Sequence, residues 1–313
     1  MVDLSVNVGR LRLQNPVMNA SGTCGYGQEY ADYLPLDRLG GFVTKTVTRD
    51  ARQGNPPPRI CETACGMLNS IGLANVGVER LITDHLPHLK GVKARIIVSI
   101  GGNSVDEYRE VAERLSAQEG VDGLELNLSC PNVKQGGLHF GRAPEVVHQV
   151  VSVVRDTTSL FMAAKLSPHS DLLEVARAAA EGGCDGVTLI NTLPGMAIDV
   201  RGKASRLGNI TGGLSGPAIK PVAVYWTYKV AEELQIPVIG VGGITTCEDA
   251  LEFIIAGASA VQIGTANFID PTTPLEVIDG MREFCESEGI DRLESLVHSL
   301  DLQKSPDGDQ ATK

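Results

Sequence analysis

The chain has 313 residues, 42% of them hydrophobic, and a formal charge of -11. That acidity, with no block of Lys or Arg, argues against a grip on nucleic-acid phosphates, and the lack of any apolar run of about 18 residues argues against a membrane span. Seven scattered cysteines (24, 61, 65, 130, 184, 247 and 285), odd in number in a chain large enough to build its own core, predict free thiols in a reducing cytoplasm.

The N-terminus shows no basic region followed by an apolar stretch, so no export signal is expected. Residues 4–8 and 11–13 alternate around Gly9 and Arg10, the pattern of a hairpin within residues 1–15 that covers one end of the body. A regular beat follows, of short aliphatic run, Gly- or Asn-rich turn and amphipathic helix. The aliphatic runs are 16–20, 41–46, 95–100, 123–128, 161–166, 186–191, 236–241 and 260–265. Helical periodicity marks 104–118, 145–155, 171–181, 218–234, 248–256 and 274–286. In 104–118 the residues Val105, Tyr108, Val111, Ala112 and Leu115 share one face. Strands that are apolar throughout are buried on both faces, which means a parallel sheet covered by helices. Eight such units are the count of an α/β (β/α)8 TIM barrel, expected as a single domain over 1–313; an open doubly wound sheet is the alternative. Two long connections, 48–75 and 191–216, leave the C-terminal ends of strands and are expected as structureless functional loops on the active-site face. The polar tail, 303–313, is expected to be disordered.

Several strand ends carry chemistry. The run 123–128 passes into Ser129-Cys130-Pro131-Asn132 and on to Gly136-Gly137, which places a thiol at the mouth of a strand under a flexible loop. Cys130 is either reactive there or one more small packing residue. Gly240, Gly242, Gly243 and the pair Gly264-Thr265 offer bare backbone N–H groups after strands seven and eight, the usual place for a phosphate in such a barrel. The acidic partner of a dinucleotide fingerprint is missing, so a mononucleotide fits better. Lys45 and Lys165 end apolar strands and need anions opposite them. Asn69, Asn103, Asn127 and Asn191 supply paired donors and acceptors suited to the imide edge of a flavin or a pyrimidine. Cys61 and Cys65 lack a second pair to complete a metal site, and no metal is expected.

Taken together, Asn69-Ser-Ile-Gly-Leu73, Asn127-Leu-Ser-Cys130-Pro-Asn132, Lys165-Leu-Ser-Pro168, Asn191-Thr192 and Gly240-Val-Gly-Gly-Ile244 resemble dihydroorotate dehydrogenase, the FMN barrel enzyme of pyrimidine synthesis. The likeness runs in the family's order from Asn19 to Thr265. It implies oxidation of dihydroorotate to orotate with Cys130 as the base for the C5 proton. It implies FMN contacts from Ala20, Ser21, Lys45, Thr46, Asn103, Asn127, Lys165 and Ile190, with Gly216, Gly242, Gly243, Gly264 and Thr265 on the phosphate side. Substrate contacts would come from Lys45, Asn69, Ser70, Ile71, Gly72, Leu73, Asn127, Asn191 and Thr192.

The cysteine at 130 and the short segment ahead of the barrel differ from the membrane-associated, serine-using branch. The stretches Pro56-Pro-Pro-Arg59, Glu62-Thr63, Gly66-Met-Leu-Asn69 and Thr211 to Pro221 look like the NAD-linked class 1B catalytic subunit. That resemblance implies a homodimeric core joined to two iron–sulfur flavoprotein subunits carrying FAD and a [2Fe-2S] cluster. The chain itself has no cluster motif and no dinucleotide fold. Other readings are a fumarate-linked class 1A enzyme, an FMN barrel that reduces free pyrimidines, a dihydrouridine synthase, which the acidic charge disfavours, and a non-catalytic phosphate-binding barrel.

Overall fold

The computed structural model describes residues 2–128 and 143–303. Barrel strands 1 to 8 are Val17–Asn19, Gly41–Val43, Arg95–Ile100, Gly123–Asn127, Phe161–Leu166, Gly186–Leu189, Val238–Val241 and Ala258–Ile263, each pairing in parallel with the next and the eighth with the first. Strands 5, 6 and 7 are buried at every residue. Water is thus excluded from both faces, the condition that predicted a parallel sheet. The fold is the expected TIM barrel. Side chains alternate between interior and exterior along each strand, and register sets Asn127 of strand 4 beside Lys165 of strand 5, and Lys165 beside Thr188 of strand 6.

Helices Val105–Ser116, Pro144–Thr157, Leu172–Glu181, Lys220–Glu233, Cys247–Ala256 and Thr273–Ser287 fall within about two residues of the periodic stretches. Ser104 starts the first of these by accepting from the Glu107 N–H, and its inner face is Tyr108, Val111, Ala112 and Leu115; Val105 is only half-buried. Between strands 2 and 3 lies an irregular helical segment over 78–89 that periodicity did not reveal, tightened at its end by Pro87.

The hairpin Val6–Val8 and Leu11–Leu13 buries its four apolar side chains and turns through Gly9 at φ +56°. A Cβ there would stand 3.0 Å from the Asp185 carbonyl. Arg10 Nη2 donates to the Leu160 carbonyl at 2.6 Å and to Asp185 Oδ2 at 2.8 Å. Residues 160 and 185 immediately precede strands 5 and 6, so the hairpin seals the N-terminal mouth and leaves the C-terminal mouth for chemistry.

The two long connections correct the expectation that they are structureless. Ile60–Thr63 and Gly66–Asn69 from the first pair with Gly212–Ser215 and Leu193–Gly195 from the second, forming a four-stranded antiparallel sheet. Cys61, Leu68 and Leu207 give it a small core of its own. Pairing between segments so distant in sequence supplies the order that Gly- and Pro-rich local sequence does not.

Candidate active site

The four-stranded sheet arches over the C-terminal mouth of the barrel, and the space between them is a cavity of about 920 Å³. That is the size of a small-molecule site. Ala20, Ser21, Lys45, Thr46, Asn69, Ser70, Ile71, Gly72, Leu73, Asn127, Lys165, Ile190, Asn191, Thr192, Gly216, Gly242, Gly243, Gly264 and Thr265 all line it. Asn103 does not. It sits at the foot of the helix after strand 3, where its N–H and side-chain amide both donate to Glu107 Oε2 at 2.7 and 3.2 Å. Cys130 and the loop 132–137 lie outside the described residues.

A chain of polar contacts ties the strand ends together. Ser21 Oγ donates to the Thr44 carbonyl at 2.9 Å and lies 3.2 Å from Thr46 Oγ1, which is 2.8 Å from Ser99 Oγ. Asn127 Nδ2 donates to Thr46 Oγ1 and Asn191 Nδ2 to Asn127 Oδ1, each at 3.4 Å. Tyr108, buried on its helix, donates its hydroxyl to the Asn127 carbonyl at 2.6 Å and anchors the backbone from which the Cys130 segment departs. Sequence reading took Tyr108 only as part of a helix face and did not single out Ser99 in its apolar strand. It also passed over Arg52 and Asn55, on the connection ahead of the arching sheet, Met67 and Ser215, within that sheet, and Phe268, in the turn after strand 8, all of which reach the cavity. Asn55 bonds Ser70 Oγ at 2.9 Å and takes the Ile71 carbonyl on its own N–H at 3.1 Å, which fixes the backbone of 70–73.

Lys45 and Lys165 differ in setting. Lys165 is nearly buried and has a carboxylate within reach, Glu125 Oε1 at 3.4 Å. Lys45 has no ion pair among the described residues, and burial, followed by the nearby charge of Arg59, pushes its ammonium below the usual lysine range. An anion in the cavity would restore it.

At the opposite wall the chain turns through Gly216, Gly242 and Gly243 at φ +94°, +140° and +76°. Neither Gly242 nor Gly243 has its N–H engaged by another group among the described residues, which leaves two donors for an anion. The loop is braced from outside. Lys220 Nζ contacts Asp249 Oδ1 and Glu252 Oε1, both at 2.6 Å, while Asp249 Oδ2 accepts from the N–H groups of Thr245 and Thr246 and from the Thr245 hydroxyl. Burial alone would raise the Asp249 carboxyl, but Lys220 and the threonine donors outweigh it and hold it at about 2. Thr265 Oγ1 donates to Ser215 Oγ at 2.8 Å and joins strand 8 to the arch.

A Cβ at Gly243 would stand 2.8 Å from Lys220 Cβ and 2.9 Å from the Gly216 carbonyl, in a backbone region that costs other residues roughly 1–2 kcal/mol. For a phosphate-bearing mononucleotide seated at this wall, such as a flavin mononucleotide, Gly243→Ala should therefore weaken binding about tenfold or more, as about 1.4 kcal/mol implies. Riboflavin, which has no phosphate, should lose far less in the same fluorescence titration. Equal losses would remove the phosphate from this wall.

The cavity thus has a glycine-lined end fit for a phosphate and an end with an uncompensated ammonium among asparagines. The residues present fit a phosphorylated planar heterocycle together with a small anion.

Comparison with known proteins bears on the same chain. A family model described as "Dihydroorotate dehydrogenase" matches residues 3–285. The protein described as "Dihydroorotate dehydrogenase B (NAD(+)), catalytic subunit" from Geotalea uraniireducens is 50% identical over 299 residues, covering 95% of this chain and 98% of that one. The protein of the same description from Pelobacter propionicus is 51% identical over 300 residues, at 96% and 99% coverage, and that from Bacteroides fragilis 47% over 303, at 96% and 100%. Among solved structures, "Crystal structure of DHODH in complex with ferulenol from Eimeria tenella" superposes with a TM-score of 0.78 at 24% identity, covering 95% of this chain and 88% of that one, a likeness of fold.

Proposed function

The chain belongs to the dihydroorotate dehydrogenase family, and from that premise we propose the part played by each group in the cavity. It is the catalytic subunit of the NAD-linked B form, oxidising dihydroorotate to orotate in pyrimidine biosynthesis. The observation that carries the assignment of the site is the two-ended cavity, a glycine cradle at one wall and Lys45 with Asn69, Asn127 and Asn191 at the other. Gly216, Gly242, Gly243, Gly264 and Thr265 hold the FMN phosphate, and Ala20, Ser21, Thr46, Lys165 and Ile190 line the remainder of the cofactor's place. Bound FMN supplies the two-electron acceptor for the hydride that leaves substrate C6. Lys45 binds the substrate carboxylate as a charge-assisted partner. Asn69, Asn127 and Asn191 fix the pyrimidine ring through its imide groups, and the backbone of 70–73 closes over one edge. Cys130 takes the C5 proton. A free thiol is only about 3% thiolate at pH 7, so turnover should rise with pH until the thiol is ionised. Asn103 is assigned no contact, since Glu107 already engages it.

The electrons leave for a partner, because the chain's glycine motif is not that of a dinucleotide site. We assign to that partner FAD and a [2Fe-2S] cluster, in an assembly of two catalytic and two electron-transfer chains. Cytoplasmic residence suits the free thiols at Cys24, Cys61, Cys65, Cys184, Cys247 and Cys285, and among the described residues no helix is long and apolar enough to cross a membrane.

The test is a visible spectrum of the purified yellow chain without oxygen. Dihydroorotate should bleach the flavin band with no NAD present, and NADH should form at a catalytic rate only after the partner is added. An unbleached band would overturn the reaction; full-rate NAD reduction by the chain alone would overturn the partner. Turnover with fumarate would move the chain to the A form.

A further inference from the structure

Beneath the cavity lies a charged layer of which the reading above uses only Lys165. Glu125, on barrel strand 4, is 1% exposed. Its Oε2 accepts from Gln262 Nε2 at 2.6 Å and from Thr188 Oγ1 at 3.2 Å. Its Oε1 has no hydrogen-bond partner among the described residues and stands 3.4 Å from Lys165 Nζ, which itself donates to Gln262 Oε1 at 3.1 Å. Side chains of strands 4, 5, 6 and 8 thereby form one network across the barrel interior, in which Lys165 is the only cation among the described residues.

The network is specific to a carboxylate. Glu125 serves two kinds of partner, neutral donors that hydrogen-bond to Oε2 and an ammonium that Oε1 faces as an ion pair. A glutamine accepts on one side only. Either its NH2 would face the ammonium, or it would face the amide of Gln262. Lys165 lines the cavity while its base is held from below, so the direction of its remaining N–H is set by this layer.

We propose that Glu125 is a positioning residue for Lys165, holding its ammonium in place with donor capacity directed at the cofactor cavity. The inference rests on the reading that Lys165 faces FMN. An ammonium close to a flavin favours the reduced, more negative form and so raises its midpoint potential. Displacing that ammonium lowers the potential.

The test measures the midpoint potential of bound FMN and FMN affinity in wild type, Lys165→Met and Glu125→Gln. Lys165→Met should lower the potential, with reduced flavin bound at least tenfold more weakly relative to oxidised, about 30 mV for a two-electron couple. Glu125→Gln should shift it the same way, although it removes a negative charge. If Glu125 were only a counter-charge, the potential would rise, and that result overturns the proposal. No shift in Glu125→Gln beside a lowered potential in Lys165→Met also overturns it, while leaving Lys165 at the flavin. No shift in Lys165→Met overturns the reading on which it rests. Should Glu125→Gln fail to fold, Thr188→Val decides, since it removes one donor from Oε2; a smaller shift of the same sign supports the proposal, and an unmoved potential overturns it.

Discussion

Cys130→Ala should retain its yellow colour and lose roughly 10²- to 10⁴-fold in the rate at which dihydroorotate bleaches the flavin, the range that general base catalysis contributes. The proton at C5 sits beside a carbonyl and is acidified by it, yet it has no acceptor once the thiol is gone. Binding should survive, because Lys45, Asn69 and Asn191 stand on other parts of the framework and Asn127, at the end of strand 4, is held by Tyr108 and Thr46. Orotate affinity by flavin difference spectra is therefore the control, expected to be near wild type. Cys130→Ser should recover part of the rate only at alkaline pH, since a hydroxyl is a far weaker acid than a thiol. Loss of flavin from Cys130→Ala would instead assign the cysteine to structure. Three other thiols give a contrast: burial raises Cys24 and Cys184 to about 12 and Cys247 to about 11, so they stay protonated.

The barrel was legible in the chain because its signals are local. An aliphatic run such as 161–166 is buried along its whole length, and a helix such as Val105–Ser116 shows its inner face at three- and four-residue spacing. Strand ends then nominate residues: parallel register sets Asn127 and Lys165 side by side, and Lys45 reaches the same cavity from just beyond strand 2. The arching sheet was not legible. Its strands are short and glycine-rich, and Gly213 pairs with Asn69 across 144 positions, a contact with no local signature. Residues that approach the cavity through that sheet, such as Met67 and Ser215, were missed for this reason. Asn103 was nominated by its strand end, but a glutamate one helical turn on competes for its amide. The role of Glu125 was hidden differently: from sequence it is a polar residue interrupting an apolar strand, and only the barrel's closure reveals Thr188, Lys165 and Gln262 around it.

Lys45→Met should weaken orotate binding by about 10- to 100-fold, the equivalent of one hydrogen bond to a charged group at roughly 1.5–3 kcal/mol, while making the ligand-free protein more stable. The two effects have one cause. Burial and the charge of Arg59 disfavour the protonated Lys45, so its folded pKa lies below its unfolded value. A lysine shifted this way destabilises the fold while it is protonated, at pH below the folded pKa, and the penalty fades as pH rises through that value. Methionine has similar length and no charge, so its stabilising effect should be largest near neutral pH and shrink on the alkaline side. An anionic ligand reverses the balance by giving the ammonium a partner. Orotate binding should accordingly take up protons where free Lys45 is partly neutral, and wild-type affinity should fall as pH rises through the depressed pKa. Lys45→Met should show no such decline. Calorimetric titration of orotate across pH, with thermal melts of the ligand-free forms, measures both. A parallel alkaline decline in wild type and Lys45→Met would take Lys45 away from the substrate carboxylate, and a lowered melting temperature in the variant would show that its charge is compensated in the folded chain.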